Sequence, residues 1–159
     1  MPYQAVILTV SDSCAAGTRT DTSGPAIRAM LENAGFAVQA MQTIPDEEGQ
    51  ISAAIVHACD ILQADLVVTT GGTGLSPRDV TPEATLAVLD REIRAIPVAM
   101  WVEGLKSTPR AMLSRAVAGT RGHTLVLNVP GSEKAARENL GAVVATLDHA
   151  LRMLAGGGH

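Results

Sequence analysis

Apolar residues fall along this chain in two alternating rhythms. Ala5-Val6-Ile7-Leu8-Thr9-Val10 is a continuous, partly β-branched run, the pattern of a strand covered on both faces. Leu66-Val67-Val68 and the stretch from Thr124 to Asn128 read the same way, while 36–44 is a weaker strand. Between these runs the spacing turns helical. Ile27, Met30, Leu31 and Ala34 share one face of a helix opened by Gly24-Pro25 and closed by Gly35. Ile51, Ile55, Cys59 and Leu62 repeat at helical intervals, and Thr81-Pro82-Glu83 has the form of an N-cap followed by proline. Leu140, Val143, Val144, Leu147, Leu151 and Leu154 mark a long amphipathic helix. Residues 91–122 are helical in parts but carry no clear pattern. No repeat or linker interrupts the chain, so 1–155 reads as one domain with a frayed, disordered tail at 156–159.

Alternation of strand and helix predicts an α/β sandwich with a largely parallel sheet. Right-handed crossovers place every strand-to-helix loop at one edge of such a sheet, outside the carboxyl ends of the strands, where ligands bind. Composition narrows the ligand. Only 2% of residues are aromatic (Tyr3, Phe36, Trp101), so the core is aliphatic and stacking platforms for single-stranded nucleic acid are scarce. The net charge of −4 offers no broad basic surface, so no nucleic-acid partner is expected. A small anion remains possible, because local backbone amides bind one against the net charge. Cys14 and Cys59 are far apart and form no C-x-x-C, the pattern of idle thiols in a reducing compartment. The first residues lack the features of a signal peptide, and no apolar stretch approaches the about 20 residues that span a bilayer. A cytoplasmic protein without a membrane partner is expected.

Chemistry-bearing residues collect at the expected edge. The first strand runs into Ser11-Asp12, the second into Pro45-Asp46-Glu47, the third into Thr69-Thr70-Gly71-Gly72-Thr73-Gly74 with Asp79 beyond, and the 124–128 strand into Pro130-Gly131-Ser132. Each piece has a plain structural reading. Asp12 or Asp46 can cap a turn, the glycines can serve a tight turn, Asp79 can pair with its neighbour Arg78, and Pro130-Gly131-Ser132 can be a turn and N-cap. Together they suggest an anion cradle: glycines let backbone N–H groups approach a ligand, and the hydroxyls of Thr70, Thr73 and Ser76 add donors. No G-K-[ST] follows, and Pro77 stands where G-x-G-x-x-G needs its last glycine, so neither a P-loop nor a dinucleotide fingerprint is present. A carboxylate beside a phosphate loop suits Mg²⁺, which takes only one or two protein carboxylates. His57, His123, His149 and His159 are scattered, without zinc-ligand spacing. Phosphoryl or nucleotidyl transfer is the chemistry favoured.

The segments TVSDS at 9–13, DTSGP at 21–25, IPDE at 44–47, TTGGTGLSPRDVTPEAT at 69–85, LSR at 113–115 and NVPGSEK at 128–134 resemble the molybdopterin adenylyltransferase family. That family comprises the Mog and MoaB types and the G domain of gephyrin. The match covers nearly the whole chain in order. The resemblance implies a three-layer α/β/α fold with a mostly parallel sheet and one antiparallel strand, usually in a homotrimer. It implies Mg²⁺- and ATP-dependent adenylylation of molybdopterin with release of pyrophosphate, the product passing to a separate molybdate-insertion enzyme. Position by position, Asp46 and Asp79 match the essential acids, with metal and nucleotide roles. Gly71, Gly72, Thr73 and Gly74 match the nucleotide loop. Ser11, Asp12 and Ser114 match positions of the molybdopterin side, and Pro130, Gly131 and Ser132 the second ligand loop. Val98 and Trp101 depart from the family's glutamate and arginine, and Glu133 from its common proline. A non-catalytic molybdopterin carrier and a nucleotide pyrophosphatase of the competence-damage-inducible type are the alternatives.

Overall fold

The structure, a computed structural model, describes residues 2–157. Six strands form one sheet: β1 (Gln4–Val10), β2 (Ala37–Ile44), β3 (Leu66–Thr70), β4 (Arg91–Glu92), β5 (Ala118–Arg121) and β6 (Thr124–Val129), in spatial order β2-β1-β3-β6-β5-β4. The pairs β1/β2, β1/β3 and β3/β6 are parallel, and β5 runs antiparallel to both β6 and β4. Six α-helices accompany them: α1 (Asp12–Ala15), α2 (Ser23–Asn33), α3 (Glu48–Val56), α4 (Thr81–Leu86), α5 (Ala95–Leu105) and α6 (Glu133–Leu154). A π-turn at His57–Ile61 extends α3, and a 3-10 turn at Pro109–Leu113 follows α5.

Strand alternation sorts the core into two layers. Ala5, Ile7, Leu66, Val68, Leu125 and Leu127 pack on one side with Ile27, Leu31, Met100, Leu140 and Leu147 of α2, α5 and α6. Val6, Leu8, Val67 and Val126 pack on the other with Ile51, Ile55 and Ala84 of α3 and α4. The fold is the expected three-layer α/β/α sandwich. With helices on both faces, β1, β3 and β6 are buried on both sides, which is why their sequences read as unbroken apolar runs.

Several expectations are amended. The unpatterned stretch 91–122 contains β4 and β5 as well as α5. A two-residue strand and AGTR offer neither alternation nor β-branched runs to detect. Thr81 does not cap α4: Val80 is the N-cap, and the Thr81 hydroxyl is buried without a partner among the described residues. The expected tail begins at an exposed Gly156-Gly157, and Gly158 and His159 lie outside the described residues.

Candidate functional site

Parallel packing of β1, β2, β3 and β6 brings their carboxyl ends together, and a cavity of about 760 Å³ opens there. Ser11, Asp46, Gly71, Gly72, Thr73, Gly74, Asp79, Ser114, Pro130, Gly131 and Ser132 all line it. Asp12 and Ser76 are not in the wall, although each bonds a residue that is: Asp12 bonds Asp46, and Ser76 N–H donates to Asp79.

The glycine loop owes its course to backbone conformations that other residues resist. Gly71 and Gly72 have φ of +100° and +70°. A Cβ on Gly71 would strike the Val10 carbonyl, and one on Gly72 would strike the Thr81 hydroxyl and lie 3.1 Å from Asp46 Oδ1. The loop is tied down through its carbonyls: Gly72 O accepts from Thr81 N–H at 3.1 Å, and Thr73 O from Arg115 N–H at 2.8 Å. No acceptor is present among the described residues for the N–H groups of Gly72, Thr73, Gly74 or Leu75. These groups remain available to an anion. The Thr70 hydroxyl, counted above among the donors, instead donates to Pro130 O at 2.7 Å. That bond holds the second loop against the first, with Gly131 packed over Gly71.

The acids form a coupled set. Asp12 and Asp46 exchange backbone-to-carboxylate bonds, each N–H donating to the other's side chain at 2.9 Å. Arg78 does not pair with Asp79. Its guanidinium grips both oxygens of Asp12 at 3.1 and 3.0 Å and reaches Glu47 at 3.0 Å. The Arg78 bonds hold the Asp12 carboxyl below its ordinary range. Burial pushes the Asp46 carboxyl up, and the charges of Asp12 and Asp79 add to the effect. Asp79 accepts from Ser76 N–H at 3.0 Å, closing the tip of the loop. Three acids placed so that one is forced upward form a site that a cation relieves. Among the described residues no group of three or more His, Cys, Asp or Glu could itself hold a metal ion. Asp46 and Asp79, both in the cavity wall, fit Mg²⁺ completed by phosphate and water oxygens, which takes only one or two protein carboxylates.

The three serines share a bonding habit. Ser11 Oγ accepts from Cys14 N–H at 3.2 Å, Ser114 Oγ from Ala116 N–H at 3.3 Å, and Ser132 Oγ from Ala135 N–H at 3.3 Å. Accepting from the backbone orients each oxygen; Ser11 Oγ also shares a bond with Ser13 Oγ at 3.2 Å in which either can donate.

Sequence reading passed over several neighbours. Asp21 accepts from Thr9 Oγ1 at 2.7 Å and Gly24 N–H at 3.0 Å, a capping role signalled by an Asp three residues before a glycine at a helix start. Arg19 and Arg110 line the cavity as exposed cations with no carboxylate partner among the described residues. Of the departures noted above, Val98 is 49% exposed on α5, beside Val102 at 57%. The Trp101 indole N–H is buried without a partner among the described residues.

Comparison with known proteins gives a consistent result. A domain family described as "Probable molybdopterin binding domain" matches residues 6–149. Gephyrin of Dictyostelium discoideum is 40% identical over 158 residues, covering 93% of this chain but only 22% of gephyrin's length. The molybdopterin adenylyltransferase of Helicobacter pylori strain J99 is 36% identical over 154 residues, covering 94% of this chain and 86% of that protein. Among solved structures, the molybdopterin biosynthesis enzyme MoaB of Thermus thermophilus superposes with a TM-score of 0.92 at 49% identity, covering 97% of both chains.

Proposed function

This chain belongs to the molybdopterin adenylyltransferase family of molybdenum cofactor biosynthesis, and we propose that it catalyses transfer of the adenylyl group of ATP to the terminal phosphate of molybdopterin. The observation that carries this reading is one cavity that joins an unbonded glycine-loop backbone, two carboxylates and three serine hydroxyls. In the reaction an oxygen of the pterin's phosphate attacks the α-phosphorus of ATP. The bond to the bridging oxygen breaks, and pyrophosphate leaves with the electron pair.

Little covalent work falls to the protein, so positioning and electrostatics carry the rate. Gly72, Thr73 and Gly74 present backbone N–H groups to the nucleotide's phosphates, while Gly71, whose own N–H donates to Val129 O at 3.1 Å, sets the turn that opens the loop. Ser11, Ser114 and Ser132 donate to molybdopterin, with Pro130 and Gly131 shaping the wall between the two substrates. Asp12 acts at one remove, fixing Asp46 through the paired backbone bonds. Asp46 and Asp79 would hold Mg²⁺, which when bound supplies positive charge to the phosphates. Arg19 and Arg110 add cationic charge at the rim.

We place residues 1–155 in one domain and the protein in the cytoplasm, in line with its two free thiols. No helix among the described residues is long and apolar enough to cross a membrane. The exposed apolar face of α5, including Val98 and Val102, supports assembly as a homotrimer. The product would pass to a separate molybdate-insertion enzyme.

Pyrophosphate release tests the reading. It is expected only when molybdopterin, ATP and Mg²⁺ are all present. Molybdopterin binding without release would mark a carrier, and release without molybdopterin a nucleotide pyrophosphatase; either contradicts the proposal.

A further inference from the structure

We propose that Arg115 is the positioning residue of the nucleotide loop, holding three of the loop's carbonyls on the side away from its ligand. The inference rests on the reading of the glycine loop given above. Arg115 N–H donates to Thr73 O at 2.8 Å, Nε to Gly74 O at 2.8 Å, and Nη2 to Asp79 O at 2.7 Å. Its remaining nitrogen, Nη1, reaches both oxygens of Glu83 on α4 at 2.9 and 2.8 Å. One residue thereby ties both ends of the segment 73–79 to the helix that follows it.

Peptide geometry turns these bonds into a statement about the ligand side. In a trans peptide the C=O and the following N–H point in opposite directions. With the carbonyls of Thr73 and Gly74 drawn to Arg115, the N–H groups of Gly74 and Leu75 face away from it. Neither has an acceptor among the described residues. The third bond fixes the backbone of Asp79, whose carboxylate takes Ser76 N–H and lines the cavity. Arg115 therefore sets both the amide donors and the acid, without itself lining the cavity.

The task suits arginine and not lysine. A planar fork with donors in fixed directions serves two carbonyls and a carboxylate together, whereas an ammonium is a single point charge on a flexible stem. The Glu83 pair is partly solvent-exposed, its side chains 38% and 44% accessible, and contributes little by itself. The backbone bond to Thr73 O is kept by any residue at 115, so the two side-chain bonds, to Gly74 O and Asp79 O, are the ones that arginine adds to the loop.

The test compares Arg115→Lys, Arg115→Met and Glu83→Gln with the unaltered full chain. Binding of ATP with Mg²⁺ is measured by calorimetry, KM for each substrate by pyrophosphate release, and Tm by thermal melting. Arg115→Lys and Arg115→Met are expected to weaken ATP binding by about tenfold or more, a factor set by about 1.4 kcal/mol. KM for ATP rises with it, while KM for molybdopterin stays within about twofold. Glu83→Gln is expected to bind both substrates as the unaltered chain does. Near-normal ATP binding by Arg115→Lys overturns the inference. So does an equal loss for both substrates with a lowered Tm, or a Glu83→Gln defect as large as that of Arg115→Lys. Amide hydrogen exchange on the unaltered chain gives a reading that needs no variant: the amides of Gly74 and Leu75 should slow when ATP and Mg²⁺ are added, and unchanged exchange there overturns the inference. If the unaltered chain binds no ATP, the reading of the loop fails instead.

Discussion

Asn128 is the buried polar residue on which the sheet and the site segments converge, and replacing it by alanine gives a calculable penalty. Its side chain is fully buried at the end of β6. The amide nitrogen donates to Thr69 Oγ1 on β3 at 2.8 Å and Thr85 Oγ1 on α4 at 3.1 Å, and Oδ1 accepts from Val117 N–H at 3.2 Å. In Asn128→Ala the Val117 N–H loses its side-chain acceptor inside the protein, at about 1–3 kcal/mol. The two bonds to hydroxyls add about 1 kcal/mol each. The sum is about 3–5 kcal/mol, a large part of a stability that for a domain is about 5–15 kcal/mol. Urea unfolding at fixed protein concentration reads it directly. A double-mutant cycle with Thr69→Val should show coupling of about 1 kcal/mol, because the second change removes a bond already lost. A loss below about 1 kcal/mol for Asn128→Ala, or strict additivity with Thr69→Val, would refute the claim that this network holds the sheet edge together.

Three further outcomes are expected. Gly72→Ala should lower stability by roughly 2–5 kcal/mol as well as ATP affinity, because an L-residue at φ +70° is strained and its Cβ meets Thr81 and Asp46; a variant with unchanged Tm contradicts the loop geometry. The raised Asp46 carboxyl keeps its proton to higher pH in the folded than in the unfolded chain, so it favours the fold at low pH and that contribution is lost as pH rises through the raised value. Asp46→Asn should therefore melt higher than the unaltered ligand-free chain at neutral pH, with the gap closing in acid; a pH-independent drop in Tm contradicts this. Light scattering at micromolar concentration should give three times the 16.4 kDa chain mass, reduced by Val102→Asp, whereas a monomer in the unaltered protein removes the assembly from the account.

The parts of this protein that could be read from sequence are those whose surroundings are uniform. β1, β3 and β6 meet helices on both faces, through Ile7, Val68 and Leu127 on one side and Val6, Val67 and Val126 on the other, so these strands announce themselves without partners being known. β2, an edge strand with Gln39, Met41, Gln42 and Thr43 exposed, is weaker for the same reason. The rule that ligands gather at the carboxyl ends of parallel strands places Ser11, Asp46, Gly71 and Ser132 together from sequence alone. What stayed hidden was side-chain direction across long separations. Arg78 stands next to Asp79 in the chain yet bonds Asp12, 66 residues away. Arg115 bonds Gly74 across 41 residues from a stretch with no periodic pattern. Adjacency suggested the first partner wrongly, and nothing local suggested the second.

The most direct measurement is mass detection of the pterin after incubation of the purified chain with molybdopterin, ATP and Mg²⁺. The account predicts a species heavier than molybdopterin by one adenylyl group, formed with equimolar pyrophosphate. Asp79→Asn should retain the loop bond to Ser76 N–H through its remaining oxygen, yet form product about 10²–10³-fold more slowly, while still binding molybdopterin. Unmodified pterin from the unaltered chain, or near-normal product formation by Asp79→Asn, would contradict the assignment of this cavity to adenylyl transfer.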